Sequence, residues 1–125
     1  MRVVDTSLWV EYLANGALAD QAEKCIAPLA SCIVPAMVHY ELIKWSRRNS
    51  NDEQAKLLQA TLTECQTADM DLMTATEAAL LSVQYKLHAT DAIIYATARL
   101  HYSPLFTCDS HFKELPGVEY FEKSA

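Results

Sequence analysis

Glycine and proline are scarce, with two of the first and four of the second in 125 residues. That excludes a linker or low-complexity segment and leaves most of the chain to regular elements joined by short turns. No apolar run approaches the roughly 20 residues of a membrane span. The opening Met1-Arg2-Val3-Val4-Asp5 meets a carboxylate too early for a signal peptide or anchor, so a soluble cytoplasmic protein is expected. Cysteines are few and widely spaced: Cys25, Cys32, Cys65 and Cys108 are 7, 33 and 43 positions apart. These gaps fit neither a CxxC redox pair nor a zinc signature, and buried free thiols are expected. His39, His88, His101 and His111 show no HxxxH spacing and are expected to be structural or exposed, with His88 alone worth watching. Positive charge is also sparse. Ten basic against sixteen acidic side chains give a net charge of −6, which by itself argues against a nucleic-acid binder. Cations held by several of the carboxylates would reverse the local field and remove that objection.

Just over half of the residues are apolar, enough for one core, and the length fits one domain over residues 1–125. The β-branched stretch ending at Asp5 suits a first strand. Leu8, Trp9, Tyr12 and Leu13 follow at helical spacing until Asn15-Gly16 breaks the helix. A second helix is predicted from Leu18 to Leu29, then a strand at Cys32-Ile33-Val34. Pro35 opens a third helix, running to Arg48 with Val38, Leu42 and Trp45 on its inner side. A fourth reaches Cys65, and Thr67 to Asp71 reads as a brief strand. Met73 to Leu87 carries an apolar stripe of Ala75, Ala79, Leu80, Val83 and Leu87. A further helix is expected from Asp91 to His101, a strand over Pro104–Cys108, a turn over Ser110–Leu115, and a last strand at Val118–Phe121. Short strands alternating with long helices imply an α/β fold whose parallel sheet is covered on both faces.

In open α/β sheets the reactive groups lie at the carboxyl ends of strands. Asp5 and Asp109 each follow a strand directly. Asp91 opens an apolar helix, where a carboxylate is favoured. Glu41 interrupts the apolar run Met37-Val38-His39-Tyr40-Glu41-Leu42-Ile43, where something must compensate its desolvation. Each residue also has a purely structural reading, as a helix cap for Asp5 and Asp91, a turn former for Asp109, or a solvent-facing position for Glu41. Together they would form a negative cup, and Mg²⁺ or Mn²⁺, hard cations that take oxygen ligands, would resolve its repulsion. Lys44 and Arg48 follow Glu41 by three and seven residues on one helical face. With Arg99 they are the candidates for gripping phosphates, while Arg47 is expected to point elsewhere.

Four segments in order carry a resemblance: Val3-Val4-Asp5-Thr6-Ser7, Tyr40-Glu41-Leu42, His88 to Ala98, and Phe106-Thr107-Cys108-Asp109-Ser110-His111-Phe112. In these the chain resembles PIN-domain proteins, in particular the VapC-type toxins of toxin–antitoxin pairs. The resemblance implies a three-layer α/β/α fold with a central five-stranded parallel sheet. It also implies an Mg²⁺- or Mn²⁺-dependent endoribonuclease that hydrolyses structured RNA such as tRNA or rRNA with metal-activated water. Asp5, Glu41 and Asp91 take the most constant acidic positions and Asp109 the more variable fourth. Thr6 or Ser7 matches a hydroxyl after the first aspartate, and Thr107 the threonine of the last motif. A homodimer silenced by a VapB-type antitoxin is implied as well. The side chains of Leu8, Trp9 and Tyr12 are candidates for either the antitoxin groove or the core.

A phosphoacceptor receiver domain needs paired acids after its first strand and a lysine ending the fifth, and neither is present. A catalytically silent PIN-fold interaction module would have lost an acidic position, yet all four are present. A DNA-directed nuclease of the same chemistry stays open, because hydrolysis alone does not distinguish RNA from DNA.

Overall fold

The computed structural model describes residues 1–123. Five short strands, β1 (Arg2–Val4), β2 (Cys32–Pro35), β3 (Gln66–Ala68), β4 (Leu105–Thr107) and β5 (Val118–Tyr120), form one sheet in the order β3-β2-β1-β4-β5. Every pairing is parallel, as in Val3 beside both Ile33 and Leu105. Six helices connect them: α1 (Thr6–Leu13), α2 (Ala19–Ile26), α3 (Ala36–Asn49), α4 (Asp52–Leu62), α5 (Leu72–Tyr85) and α6 (Ala89–Leu100). The chain moves outward from β1 through β2 to β3 over α1 to α4, then returns across the sheet to β4 over α5 and α6. Because parallel crossovers are right-handed in nearly all proteins, running them in opposite directions covers opposite faces, which accords with the expected α/β/α layers. Between β1, which is central, and β4, the chain order reverses. That switch point is where such sheets open a crevice at their carboxyl edge.

The strands are buried on both faces. Val3, Val4, Ile33, Val34 and Leu105 are covered by Leu8, Trp9, Leu42, Ile94, Tyr95 and Phe112. Leu8 and Trp9 are fully buried, so they belong to the core, and only Tyr12 of that predicted groove is exposed. The four cysteines are buried free thiols, as expected. Among the described residues, no helix is long and apolar enough to cross a membrane.

Several boundaries differ from the sequence reading, each for a local reason. Helix α2 stops at Ile26 rather than Leu29, because Pro28 pushes Ala27 into an extended conformation; a 3-10 turn at Leu29–Ser31 fills the gap. Helix α4 ends at Leu62, short of Cys65. Asp71 is not a strand residue: its carboxylate caps α5 by accepting from the Thr74 N–H at 2.8 Å. Helix α6 begins at Ala89 with His88 at its cap position, which places Asp91 in the first turn rather than at the start. On α3 the inner positions are Val38, Leu42 and Ser46, and Trp45 is only half-buried.

Helix α5 shows the largest difference. It buries Thr74, Ala78 and Leu81, and turns much of the predicted stripe outward, with Leu80 exposed and Val83 84 % exposed. An Ala- and Leu-rich helix has apolar residues on both sides, so its periodicity does not fix which side faces α6.

Candidate metal centre

Asp5 leaves the carboxyl end of β1 and caps α1, so its capping and site roles coexist. Its side chain is 4 % exposed. All of its hydrogen bonds converge on one oxygen. Oδ2 accepts from the hydroxyls of Ser7 (2.8 Å) and Thr107 (2.9 Å) and, more weakly, from the Ser7 N–H (3.4 Å). Each hydroxyl has a single hydrogen, spent on Asp5. Each oxygen in turn accepts a backbone N–H, from Cys108 to Ser7 at 3.1 Å and from Asp109 to Thr107 at 2.9 Å. This mesh stitches β1 to the end of β4. Among the described residues no donor reaches Asp5 Oδ1. Burial raises the Asp5 pKa to about 6, overriding the hydroxyl donors that favour its charged form, and the nearby Asp109 adds to the rise.

Asp109 follows β4 and caps the 3-10 turn Ser110–Phe112 by accepting from the His111 N–H at 2.9 Å. Fully buried Phe112 anchors that turn. The turn sets the exposed His111 side chain, as expected 60 % open to solvent, at the rim of the site, with Nδ1 3.1 Å from Asp91 Oδ2 and 3.5 Å from Asp109 Oδ1. Asp91, Asp109 and His111 each offer a ligand atom within 4.8 Å of the others. Burial raises the Asp91 pKa, the contact with His111 opposes it, and Asp109 adds to the rise. Asp5 stands beside this trio, close enough to feel Asp109.

Glu41 is half-buried on α3 and lies outside the tight trio. It is tied to the site through Thr6, whose hydroxyl donates to Oε1 at 2.7 Å. Glu41 therefore sits one residue from Asp5 through a hydrogen bond rather than in bulk water. Lys44, Arg47 and Arg48 line one groove with His39, Tyr40 and Ile43. Lys44 lies 5.6 Å from the centre of the Tyr40 ring. Arg47, expected to point elsewhere, shares that groove and is paired with Asp52. Arg99 is not gathered with the others. It stands about 12 Å along α6 from Asp91 and packs against Gly117, whose carbonyl pairs with Leu105 at the amino edge of the sheet. The strand polarity thus places Arg99 on the far side from Asp109.

The PIN-domain profile matches residues 2–118. The chain belongs to the PIN-domain family. Among solved structures it is similar to a toxin–antitoxin complex from Klebsiella pneumoniae, with a TM-score of 0.83 and 23% identity over 98% of this chain and 100% of that one. It is also similar to FitAcB from Neisseria gonorrhoeae, with a TM-score of 0.77 and 21% identity over 98% and 97%. A third similar structure is a VapC of Mycobacterium tuberculosis described as a sarcin-ricin loop cleaving toxin, at 0.72 and 18% over 90% and 92%. At these identities the likeness speaks for the fold. By sequence, no curated protein matches the chain.

The donor set of this PIN domain fits a hard divalent ion. Asp5 keeps Oδ1 free of donors, and Asp109 sits close enough to both Asp5 and Asp91 to raise their cost of ionisation. His111 is the residue of this candidate metal-holding group that the sequence did not single out. The available signal was its position two residues after Asp109, because an aspartate capping a 3-10 turn brings that residue's backbone, and here its ring, back to the carboxylate.

Proposed function

We propose that this PIN domain is an Mg²⁺- or Mn²⁺-dependent endoribonuclease acting as the toxin of a toxin–antitoxin pair. The observation that carries the reading is the grouping of Asp91 and Asp109 at the carboxyl edge of the sheet, with the buried carboxylate of Asp5 next to Asp109 and its donors all on one oxygen. Asp5, Asp91 and Asp109 would hold the ion, with Glu41 bordering it through Thr6. When bound, the ion supplies positive charge that offsets the charge developing on a phosphodiester and acidifies the attacking water. Ser7 and Thr107 hold Asp5 in one orientation. Lys44 and Arg48 stand on the helix that carries Glu41, in a groove of their own, and would bind flanking phosphates in a chain of net negative charge. Hydrolysis breaks the P–O3′ bond, leaving a 3′-hydroxyl and a 5′-phosphate.

The test is digestion of total RNA, of purified tRNA and rRNA, and of single-stranded DNA by the purified protein. Discrete RNA fragments are expected with Mg²⁺ or Mn²⁺, and none with EDTA. Cleavage that persists in EDTA, or cuts DNA alone, would refute the assignment, and intact RNA under every condition would favour a silent interaction module. Toxin-type pairing is supported by the fold shared with the toxin–antitoxin complex from Klebsiella. It predicts a small DNA-binding antitoxin whose C-terminal segment stops the cleavage.

Self-association belongs to the same reading. The outer face of α5 exposes Leu72, Leu80 and Val83 around Ala75 and Ala79, with Glu77 its one charge. Two copies of a chain with net charge −6 repel, so a nearly uncharged apolar face is where a second copy can dock. Val83→Glu is expected to convert a dimer into a monomer by light scattering, with the circular dichroism spectrum unchanged. A wild-type mass equal to one chain would remove the proposal.

A further inference from the structure

We infer that His111 is a metal ligand through Nδ1, and that the centre therefore prefers a first-row transition ion such as Mn²⁺ over Mg²⁺. The inference rests on the reading of the carboxylate cup as a divalent-ion site, and adds to it a nitrogen donor that the acidic motifs do not supply.

Three observations support it. The Nδ1 atom faces the two carboxylates, at 3.1 Å from Asp91 Oδ2 and 3.5 Å from Asp109 Oδ1. Neighbouring ligands on one six-coordinate ion lie about 3 Å apart when its bonds are near 2.1 Å, so a hydrogen-bonded arrangement of this size is also one that an ion can bridge. The backbone that carries the ring is fixed: Asp109 caps the turn through the His111 N–H, and Phe112, the next residue, is fully buried. The ring itself is exposed at the rim of the site, its Nδ1 held toward the carboxylates by the contact with Asp91. The ring also adds a nitrogen donor to a set of oxygens. First-row transition ions accept imidazole, Mn²⁺ the most weakly of them, whereas Mg²⁺ keeps to oxygen and water. Ligation uses the neutral ring with its hydrogen on Nε2, and the metal takes over the Nδ1 position that in its absence bonds to Asp91. His88 lies on the other side, with its ring centre 6.1 Å from that of His111, so the assignment must distinguish the two.

The experiment loads the full-length protein with Mn²⁺ and reads it by electron paramagnetic resonance. Titration of the free-ion signal gives the affinity, and pulsed measurement shows whether a ¹⁴N nucleus is coupled to the bound ion. Mg²⁺ affinity is obtained by competition. Wild type is expected to show a ¹⁴N coupling that His111→Ala abolishes. The same variant should lose about tenfold or more in Mn²⁺ affinity and change little in Mg²⁺ affinity, erasing the preference. His88→Ala should keep the coupling. Bound Mn²⁺ without ¹⁴N coupling in wild type overturns the inference and leaves the carboxylate site standing. So does a coupling that survives in His111→Ala, or an equal loss of both affinities, which would mark His111 as a hydrogen-bond partner of Asp91 only. Failure of wild type to bind Mn²⁺, or binding that Asp5→Asn and Asp91→Asn leave untouched, removes the underlying site reading and this inference with it.

Discussion

Asp5→Asn is expected to abolish divalent-dependent RNA cleavage while making the metal-free protein more stable near neutral pH. The two halves share a cause. Asp5 is buried, and its pKa in the folded chain is about 6 against an ordinary value of 3.8. At pH values below the ordinary value both folded and unfolded chains are protonated there, and the group costs nothing. As pH rises from about 4 to 6 the unfolded chain releases its proton while the folded one holds it, so stability falls through that window. Above about 6 the full penalty of ionising a buried carboxylate is in place, on the order of 3 kcal/mol. Asparagine keeps the size and can present its carbonyl oxygen to Ser7 and Thr107 where Oδ2 now sits, without the charge. The metal-free variant should therefore melt several degrees above wild type at pH 7.5 and about equally with it at pH 4.

The same substitution removes the charge that an ion would neutralise. Added Mn²⁺ should raise the melting temperature of wild type and leave Asp5→Asn unmoved. Cleavage should fall by about a hundredfold or more, beyond what losing a supporting hydrogen bond to a ligand costs. Melting curves with and without metal, at both pH values, check the stability half, and RNA digestion checks the other. Wild-type cleavage by the variant would end the assignment of Asp5. A variant less stable than wild type at pH 7.5 would show that the buried charge is not a liability.

How much of this was legible in the sequence follows from which signals are local. The place of Asp5 was readable because a carboxylate directly after a buried β-branched strand has its position set by the strand, and that of Asp109, one residue beyond β4, follows in the same way. The parallel sheet was readable from short apolar strands spaced by helices. The phase of α5 was not, because Ala75, Ala79, Leu80 and Val83 are as apolar as the residues it buries, and only docking against α6 decides between the faces. Arg99 misled for a related reason. It shares a helix with Asp91, but α6 runs away from the carboxyl edge, and proximity in sequence becomes separation in space. His111 escaped because histidine spacing is informative for sites built on helices, and this ring reaches its partners through a capping turn. Glu41 was singled out as an acid in an apolar run, yet its link to Asp5 runs through Thr6, a contact between α1 and α3 that spacing cannot reveal.

Thr107→Val tests whether the hydroxyl mesh tunes Asp5 or only fills space. The Thr107 side chain is fully buried at the end of β4. Its hydroxyl donates to Asp5 Oδ2 and accepts the Asp109 N–H, so one atom positions both carboxylates. Valine matches the shape but leaves Asp5 with one hydroxyl donor fewer and the Asp109 N–H without its acceptor. The loss of stability should be about 1–3 kcal/mol, the cost of unsatisfied buried polar groups. Packing alone could account for that figure, so it does not decide the matter. The deciding readout is the pH at which metal begins to stabilise the fold. Removing a donor to the charged form raises the Asp5 pKa further, and an ion must compete with that proton. The midpoint of Mn²⁺-induced stabilisation against pH should therefore move upward in Thr107→Val, with cleavage at pH 7 reduced about tenfold to a hundredfold. Thr107→Ser, which restores the hydroxyl and lacks the methyl, should return the midpoint to the wild-type value even where it recovers only part of the stability. A wild-type midpoint in Thr107→Val would reduce Thr107 to a packing residue and leave Ser7 as the hydroxyl that sets the charge of Asp5.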